Sequence, residues 1–149
     1  METLKTEFSM QRRVEFAETD MAGIAHFTNF FKYMEETEHA FLRARGLSVV
    51  LNDAKGKLGF PKLEATCEYK RPVRYEDVVE VDAVICCEDG KTLRYEFAFS
   101  RQGTRIAFGR LRTAFCRFPL DQPPYAVPIN SDVMEKLFSD HRLQDTRSV

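Results

Sequence analysis

The sequence predicts an α+β domain in which an antiparallel sheet covers one long helix. Three observations carry this: helical apolar periodicity confined to residues 27–45, several later stretches of period two, and tight turns between those stretches. A helix of about five turns, ~28 Å at 1.5 Å per residue, presents an apolar stripe that must be covered. A curved antiparallel sheet wrapped around it is the economical cover.

The first element is a strand, with Met10, Arg12, Val14 and Phe16 spaced by two. Thr19-Asp20-Met21-Ala22-Gly23 reads as a turn. Phe27, Phe30, Phe31, Met34, Phe41 and Leu42 then recur at helical spacing, placing a helix over roughly Phe27 to Arg45. Thr28 or its neighbour is placed to cap the start, and Gly46 to end it. Glu38 falls in the apolar stripe one turn after Met34. A carboxylate buried alone is costly, so Glu38 must be paired or must reach a cavity; pairing with an Arg on a neighbouring element is the expectation, a functional role the alternative.

After about Gly56 the pattern is sheet. Leu63, Ala65, Cys67 and Tyr69 alternate with Glu64, Thr66, Glu68 and Lys70. A turn over Pro72 to Glu76 follows, then Val79, Val81, Ala83, Ile85 and Cys87 on one face. Asp89-Gly90 marks a hairpin into Leu93, Tyr95, Phe97 and Phe99, and Gln102-Gly103 marks the next. Thr104 to Phe118 completes the set. Pro119 to Pro128 is extended and excludes regular helix or central strand. Ser131 to Phe138 reads as a short capped helix, and a polar, mobile tail is expected beyond it.

The 149 residues suit a single domain over 1–149, with a core at about 8–118 and an extension at 119–149. Net charge is −1, which excludes a bulk field drawing the chain to nucleic acid or an anionic membrane. No apolar run approaches the ~20 residues that span a bilayer. The first ten residues lack the apolar core of a signal peptide, so a cytoplasmic location is expected. Cys67, Cys86, Cys87 and Cys116 form no CxxC, and with His26, His39 and His141 as the only histidines a metal site is not expected. The cysteines read as packing residues. Thirteen phenylalanines and no tryptophan predict a Phe-dominated core.

The chemistry-bearing stretch is Glu15 to Phe31. It sets Asp20 in a loop between a strand and a helix N-terminus, three residues before Gly23. Helix N-termini present unpaired N–H groups and the positive end of a dipole, which stabilise an oxyanion while a nearby carboxylate attacks or activates water. By spacing alone, an Asp before Gly is more often a turn.

The stretch resembles the active-site segment of the 4-hydroxybenzoyl-CoA thioesterase family, which includes thioesterases associated with the Tol–Pal system. The matching residues are Asp20, Gly23, Ile24-Ala25, His26-Phe27 and Asn29-Phe30, continued by Tyr33-Met34-Glu35 and by Leu47 after Gly46. Glu68 to Val78 resembles a later strand–turn–strand of the family, so the likeness runs through about residues 8 to 118. It implies a hotdog fold, five antiparallel strands around one long helix, in a homodimer or homotetramer with the site at the subunit interface. The implied activity is hydrolysis of an acyl-CoA, without a cofactor. Asp20 is then the catalytic carboxylate, as nucleophile or general base, with the Phe27 N–H as oxyanion donor. Gly23 lets the loop approach the thioester.

One departure is that many members carry His one position later, where this chain has Phe27. His26 is left to orient substrate or water, or simply to pack at the helix start. The resemblance places Lys91 and Thr92 near the pantetheine-phosphate path, with Arg71, Arg74, Arg101 and Arg105 as further phosphate candidates. Phe60, Pro61 and Lys62 are candidates for the acyl pocket. Glu35 either faces the partner's site or makes a structural ion pair. The abundant phenylalanines favour short-chain or aromatic acyl groups over a long aliphatic chain. Two other readings remain on the same fold: a non-catalytic acyl-CoA-binding module, and a dehydratase using His26 with Glu35 or Glu36.

Overall fold

A computed structural model describes residues 3–139, so the tail beyond them, with His141, lies outside the described residues. The elements in chain order are β1 (Leu4–Arg13), α1 (Asn29–Ala44), β2 (Val50–Asp53), β3 (Gly56–Gly59), β4 (Lys62–Tyr69) and β5 (Val78–Cys87). They continue with β6 (Thr92–Arg101), β7 (Thr104–Ala114), β8 (Cys116–Phe118), β9 (Tyr125–Ala126) and α2 (Ser131–Leu137). Five strands form one antiparallel sheet in the order β1-β5-β6-β7-β4. This is the hotdog arrangement, a sheet wrapped on one long helix.

Register explains why the sheet has one apolar face. Val81 pairs with Phe99, Ala83 with Phe97 and Ile85 with Tyr95, so the period-two residues of β5 and β6 meet side by side. All six are buried, and α1 covers them with Phe30, Tyr33, Met34, Phe41 and Leu42. Phe30 meets Phe99 edge-on at 5.3 Å, and Phe41 meets Tyr95 at 6.1 Å. On β7 the helix comes so close that a Cβ at Gly109 would lie 2.5 Å from Met34 Sδ and 3.3 Å from Phe99. Gly109→Val is therefore expected to overpack this seam and cost about 1–3 kcal/mol, read as a lower urea midpoint.

Several boundaries differ from the sequence expectation. β1 starts at Leu4 and ends at Arg13, because the Val14 N–H leaves the sheet for Asp77 O (2.9 Å) and residues 16–18 close a 3-10 turn. The helix begins at Asn29 rather than Phe27, since His26 O accepts from the Asn29 N–H (3.0 Å) and makes a preceding turn. Thr28 holds the N-cap position, but its hydroxyl bonds His26 instead of the helix. Gly46, at φ +72°, ends the helix as expected. Strand 104–118 breaks at Phe115, and β8 turns away into a second sheet, β2-β3-β8-β9. Asn130 caps α2 by accepting the Val133 N–H at 2.9 Å.

Two corrections concern α1 and its neighbour. Glu38, fully buried, pairs with Lys62 rather than with an arginine. The alternation along β4 does not bury a face: Leu63 is 50% exposed and Tyr69 45%. β4 is an edge strand bonded to β7 alone, and α1 meets it through Glu38 on Lys62 and Phe30 on Tyr69 while the other β4 residues stay largely exposed. The four cysteines are unpaired, three of them buried. Among the described residues no helix is long and apolar enough to cross a membrane.

Candidate active site

The loop from Val14 to Thr28 is built around one buried carboxylate, Glu18. Its Oε1 accepts from the Glu15 N–H (2.8 Å), Arg12 Nη1 (2.9 Å) and Tyr33 Oη (2.9 Å), while Oε2 takes Arg12 Nη2 at 2.6 Å. Arg12 also reaches Glu36 on α1 at 2.8 Å and lies over the Tyr33 ring. Burial pushes the Glu18 carboxyl up, but hydrogen bonds from Arg12, Glu15 and Tyr33 outweigh that and leave it below the usual carboxylate range. The Glu18 carbonyl in turn accepts from the His26 N–H (2.8 Å) and Asn29 Nδ2 (2.8 Å). Strand β1, the loop and the helix start are thereby tied at one residue. Neither Glu18 nor Arg12 stood out in the sequence, because nothing local to them signals burial.

Asp20 follows on the exposed side of this anchor. Its N–H donates to Ile24 O (2.9 Å), its carbonyl accepts from Gly23 N–H (3.0 Å), and Oδ1 accepts from the Ala22 N–H (2.8 Å). That Asx turn holds the carboxylate while Oδ2 has no partner among the described residues. Gly23 closes the turn at φ +78°, a conformation that suits glycine. An open depression of about 740 Å³ is lined by Asp20, His26, Thr28, Asn29 and the 16–19 segment.

The helix start supplies the second half of the site. The N–H groups of Asn29, Phe30 and Phe31 are taken by the carbonyls of His26, Phe27 and Thr28. Among the described residues the Phe27 N–H donates no hydrogen bond. Phe27 is held by its carbonyl, which accepts from Tyr69 Oη at 2.9 Å. Burial pushes the Tyr69 phenol up to about 12, so it stays a neutral donor. His26 shares its Nδ1 with Thr28 Oγ1 (2.7 Å), leaving Nε2 without a partner among the described residues.

Asp20, Gly23, His26 and Phe27 are therefore brought together. The other predicted positions lie elsewhere on the protomer. Phe60 packs on Phe115 at 5.2 Å, and Lys62 is bound to Glu38. At the β5–β6 hairpin the Thr92 hydroxyl and the Lys91 N–H are both bound to Asp89, with the Lys91 side chain outward. Glu35 is exposed on α1.

Comparison with known proteins bears on this arrangement. The model of the Thioesterase-like superfamily matches residues 14–137. A protein of Aquifex aeolicus (strain VF5) named "Putative esterase" is 37% identical over 109 residues, 73% of this chain and 83% of that one. A 1,4-dihydroxy-2-naphthoyl-CoA hydrolase of Prochlorococcus marinus (strain NATL2A) is 23% identical over 104 residues, covering 65% of this chain and 67% of its own length. Among solved structures, a gentisyl-coenzyme A thioesterase superposes with TM-score 0.74 at 32% identity, covering 87% of this chain and 99% of that one.

Proposed function

The chain belongs to the Thioesterase-like superfamily and hydrolyses an acyl-CoA thioester, and from that premise we propose that it acts on a short-chain or aromatic acyl-CoA with Asp20 as its reactive carboxylate. The observation that supports the assignment of Asp20 is that, among the described residues, its Oδ2 and the Phe27 N–H at the start of α1 are both without a partner in the same loop. That N–H, backed by the helix dipole, stabilises the oxyanion that forms when the thioester carbonyl is attacked. On one route Asp20 Oδ2 attacks the carbonyl carbon, CoA leaves as thiolate and takes a proton, and water cleaves the mixed anhydride. On the other, Asp20 removes a proton from water, whose oxygen attacks the carbonyl carbon, and the C–S bond breaks as CoA leaves as thiolate and takes up a proton. In this reading His26, which lines the same depression as Asp20, orients that water.

An aromatic acyl group is favoured by the names of two relatives, which act on gentisyl-CoA and 1,4-dihydroxy-2-naphthoyl-CoA. The test is CoA release, followed as free thiol, across short, medium, long and aromatic acyl-CoAs. Aromatic or short chains are expected to be hydrolysed fastest. A long chain leading the panel overturns the substrate class, and binding without release favours a non-catalytic module.

The working unit in this reading is a homodimer paired through β4. Supporting it, β4 offers an open edge of eight residues carrying Leu63 and Tyr69 exposed. Antiparallel pairing of β4 with its copy sets the Lys62 end of one protomer beside the Tyr69 end of the other. Tyr69 holds Phe27, so each site lies at the interface, and Glu35 on the outer side of α1 faces the partner's site. Lys91, on the β5–β6 hairpin, is a candidate for the CoA phosphates. Light scattering should give twice the 17.3 kDa chain mass, or four times for a pair of dimers. A monomer that is fully active would overturn the interface placement. Four unpaired cysteines fit the reducing cytoplasm.

A further inference from the structure

The most buried part of the molecule contains a polar group that nothing above uses. Glu38, Tyr95 and Thr113 are each 0% exposed, and Glu38 Oε2, Tyr95 Oη and Thr113 Oγ1 have no hydrogen-bond partner among the described residues. Buried polar atoms are rarely left unpaired, because their lost hydration is not replaced, so these three call for a missing partner.

Register places them together. Thr113 on β7 is the direct partner of both Lys62 on β4 and Leu93 on β6. Tyr95 stands two residues from Leu93 on the same, helix-facing side of β6. Glu38 enters from α1 and binds the Lys62 ammonium with Oε1, leaving Oε2 free. Tyr95 packs edge-on against Phe41, one helical turn past Glu38 on α1, at 6.1 Å between ring centroids, and burial pushes its phenol well above its ordinary value, with the Glu38 charge adding to that. The atoms therefore supply an acceptor from Glu38 and two hydroxyls able to donate or accept. Lys62, whose side chain is 31% exposed, connects them to the surface at the edge strand.

We propose that Glu38, Tyr95 and Thr113, closed by Lys62, form a polar subsite that receives a ring hydroxyl of an aromatic acyl group. This rests on the thioesterase reading and on the β4-paired dimer. Within one protomer Glu38 lies nine residues past Asn29, ~14 Å along α1 from the helix start, beyond the span of a benzoyl ring held at Asp20. In the dimer the Lys62 end of one β4 lies beside Tyr69 and Phe27 of the other. The subsite of each protomer then faces the Asp20 site of its partner, and Lys62 is the residue that must swing aside or share its protons with the incoming hydroxyl. A hydroxyl donating to Glu38 Oε2 and accepting from Tyr95 or Thr113 satisfies atoms that an unsubstituted ring leaves unpaired.

The experiment compares kcat/KM for benzoyl-CoA with that for 2-, 3- and 4-hydroxybenzoyl-CoA, 2,5-dihydroxybenzoyl-CoA and the matching methoxybenzoyl-CoAs. For at least one ring position, wild type is expected to favour the hydroxyl over hydrogen or methoxy by about 10–100-fold. In Tyr95→Phe and Thr113→Val, each close in volume to the original, that ratio should fall by about tenfold, with circular dichroism showing the fold retained. A wild-type preference unchanged in both variants would mean that the cluster holds only internal water, and the proposal fails. Should neither variant fold, wild type alone still decides, because equal rates for hydroxyl, methoxy and hydrogen at every position also overturn it. Wild type inert toward every acyl-CoA is a different failure, that of the thioesterase reading itself.

Discussion

Asp20→Asn is expected to lower kcat by roughly three to five orders of magnitude while the protein stays folded. The amide keeps the size of the carboxylate, and its oxygen still accepts the Ala22 N–H that Oδ1 now takes at 2.8 Å, so the Asx turn survives. What disappears is an anionic oxygen able to attack the thioester or to take a proton from water. KM should move far less than kcat, because the lost interaction is made in the transition state. Single-turnover release of CoA from wild type and variant, side by side, makes the measurement. Equal rates in the two would reduce Asp20 to a turn residue and leave the site without a reactive group.

Glu18→Ala is expected to cost about 3–5 kcal/mol of stability, because it leaves a half-buried Arg12 with part of its pairing and strips Tyr33 of a buried acceptor. Glu18 also determines where the loop before Asp20 lies, so activity should fall together with the unfolding midpoint. The pH dependence distinguishes this from general damage. The folded-state pKa of Glu18 is depressed below that of an ordinary carboxyl, so its contribution is fully present above the unfolded-state pKa and is lost as pH falls through the folded-state pKa. The gap between wild type and Glu18→Ala in urea unfolding should therefore be widest near neutrality and narrow in acid. A gap that stays constant from pH 7 down to pH 3 would show that the carboxylate's charge is not what holds the loop.

The legibility of these features in the sequence follows the range of the interactions behind them. Asp20, Gly23, His26 and Phe27 are close in the chain, and the turn that gathers them is made of their own backbone bonds, so their proximity was readable. Gly46 at the end of α1 and the hairpin at Asp89-Gly90 were readable for the same reason, since a positive φ is a local demand. Arg12, Glu36 and Tyr33 come from three places in the chain and meet only through Glu18. No spacing rule marks such a meeting.

By itself the sequence determined the one-helix, antiparallel-sheet class, the order of the long strands and the carboxylate-bearing turn before the helix. Period-two and helical apolar patterns are properties of single segments, and each segment's face follows from its own side chains. Only the tertiary structure decided that β4 is an edge with its alternating face uncovered, and that Lys62, not an arginine, meets Glu38. It also decided that strand 104–118 breaks into a second sheet, and that the Tyr95 and Thr113 side chains are fully buried. Each of these depends on which strand lies next to which and where the helix ends its cover, and such pairings join residues far apart in the chain at a loop-closure cost that no local pattern encodes.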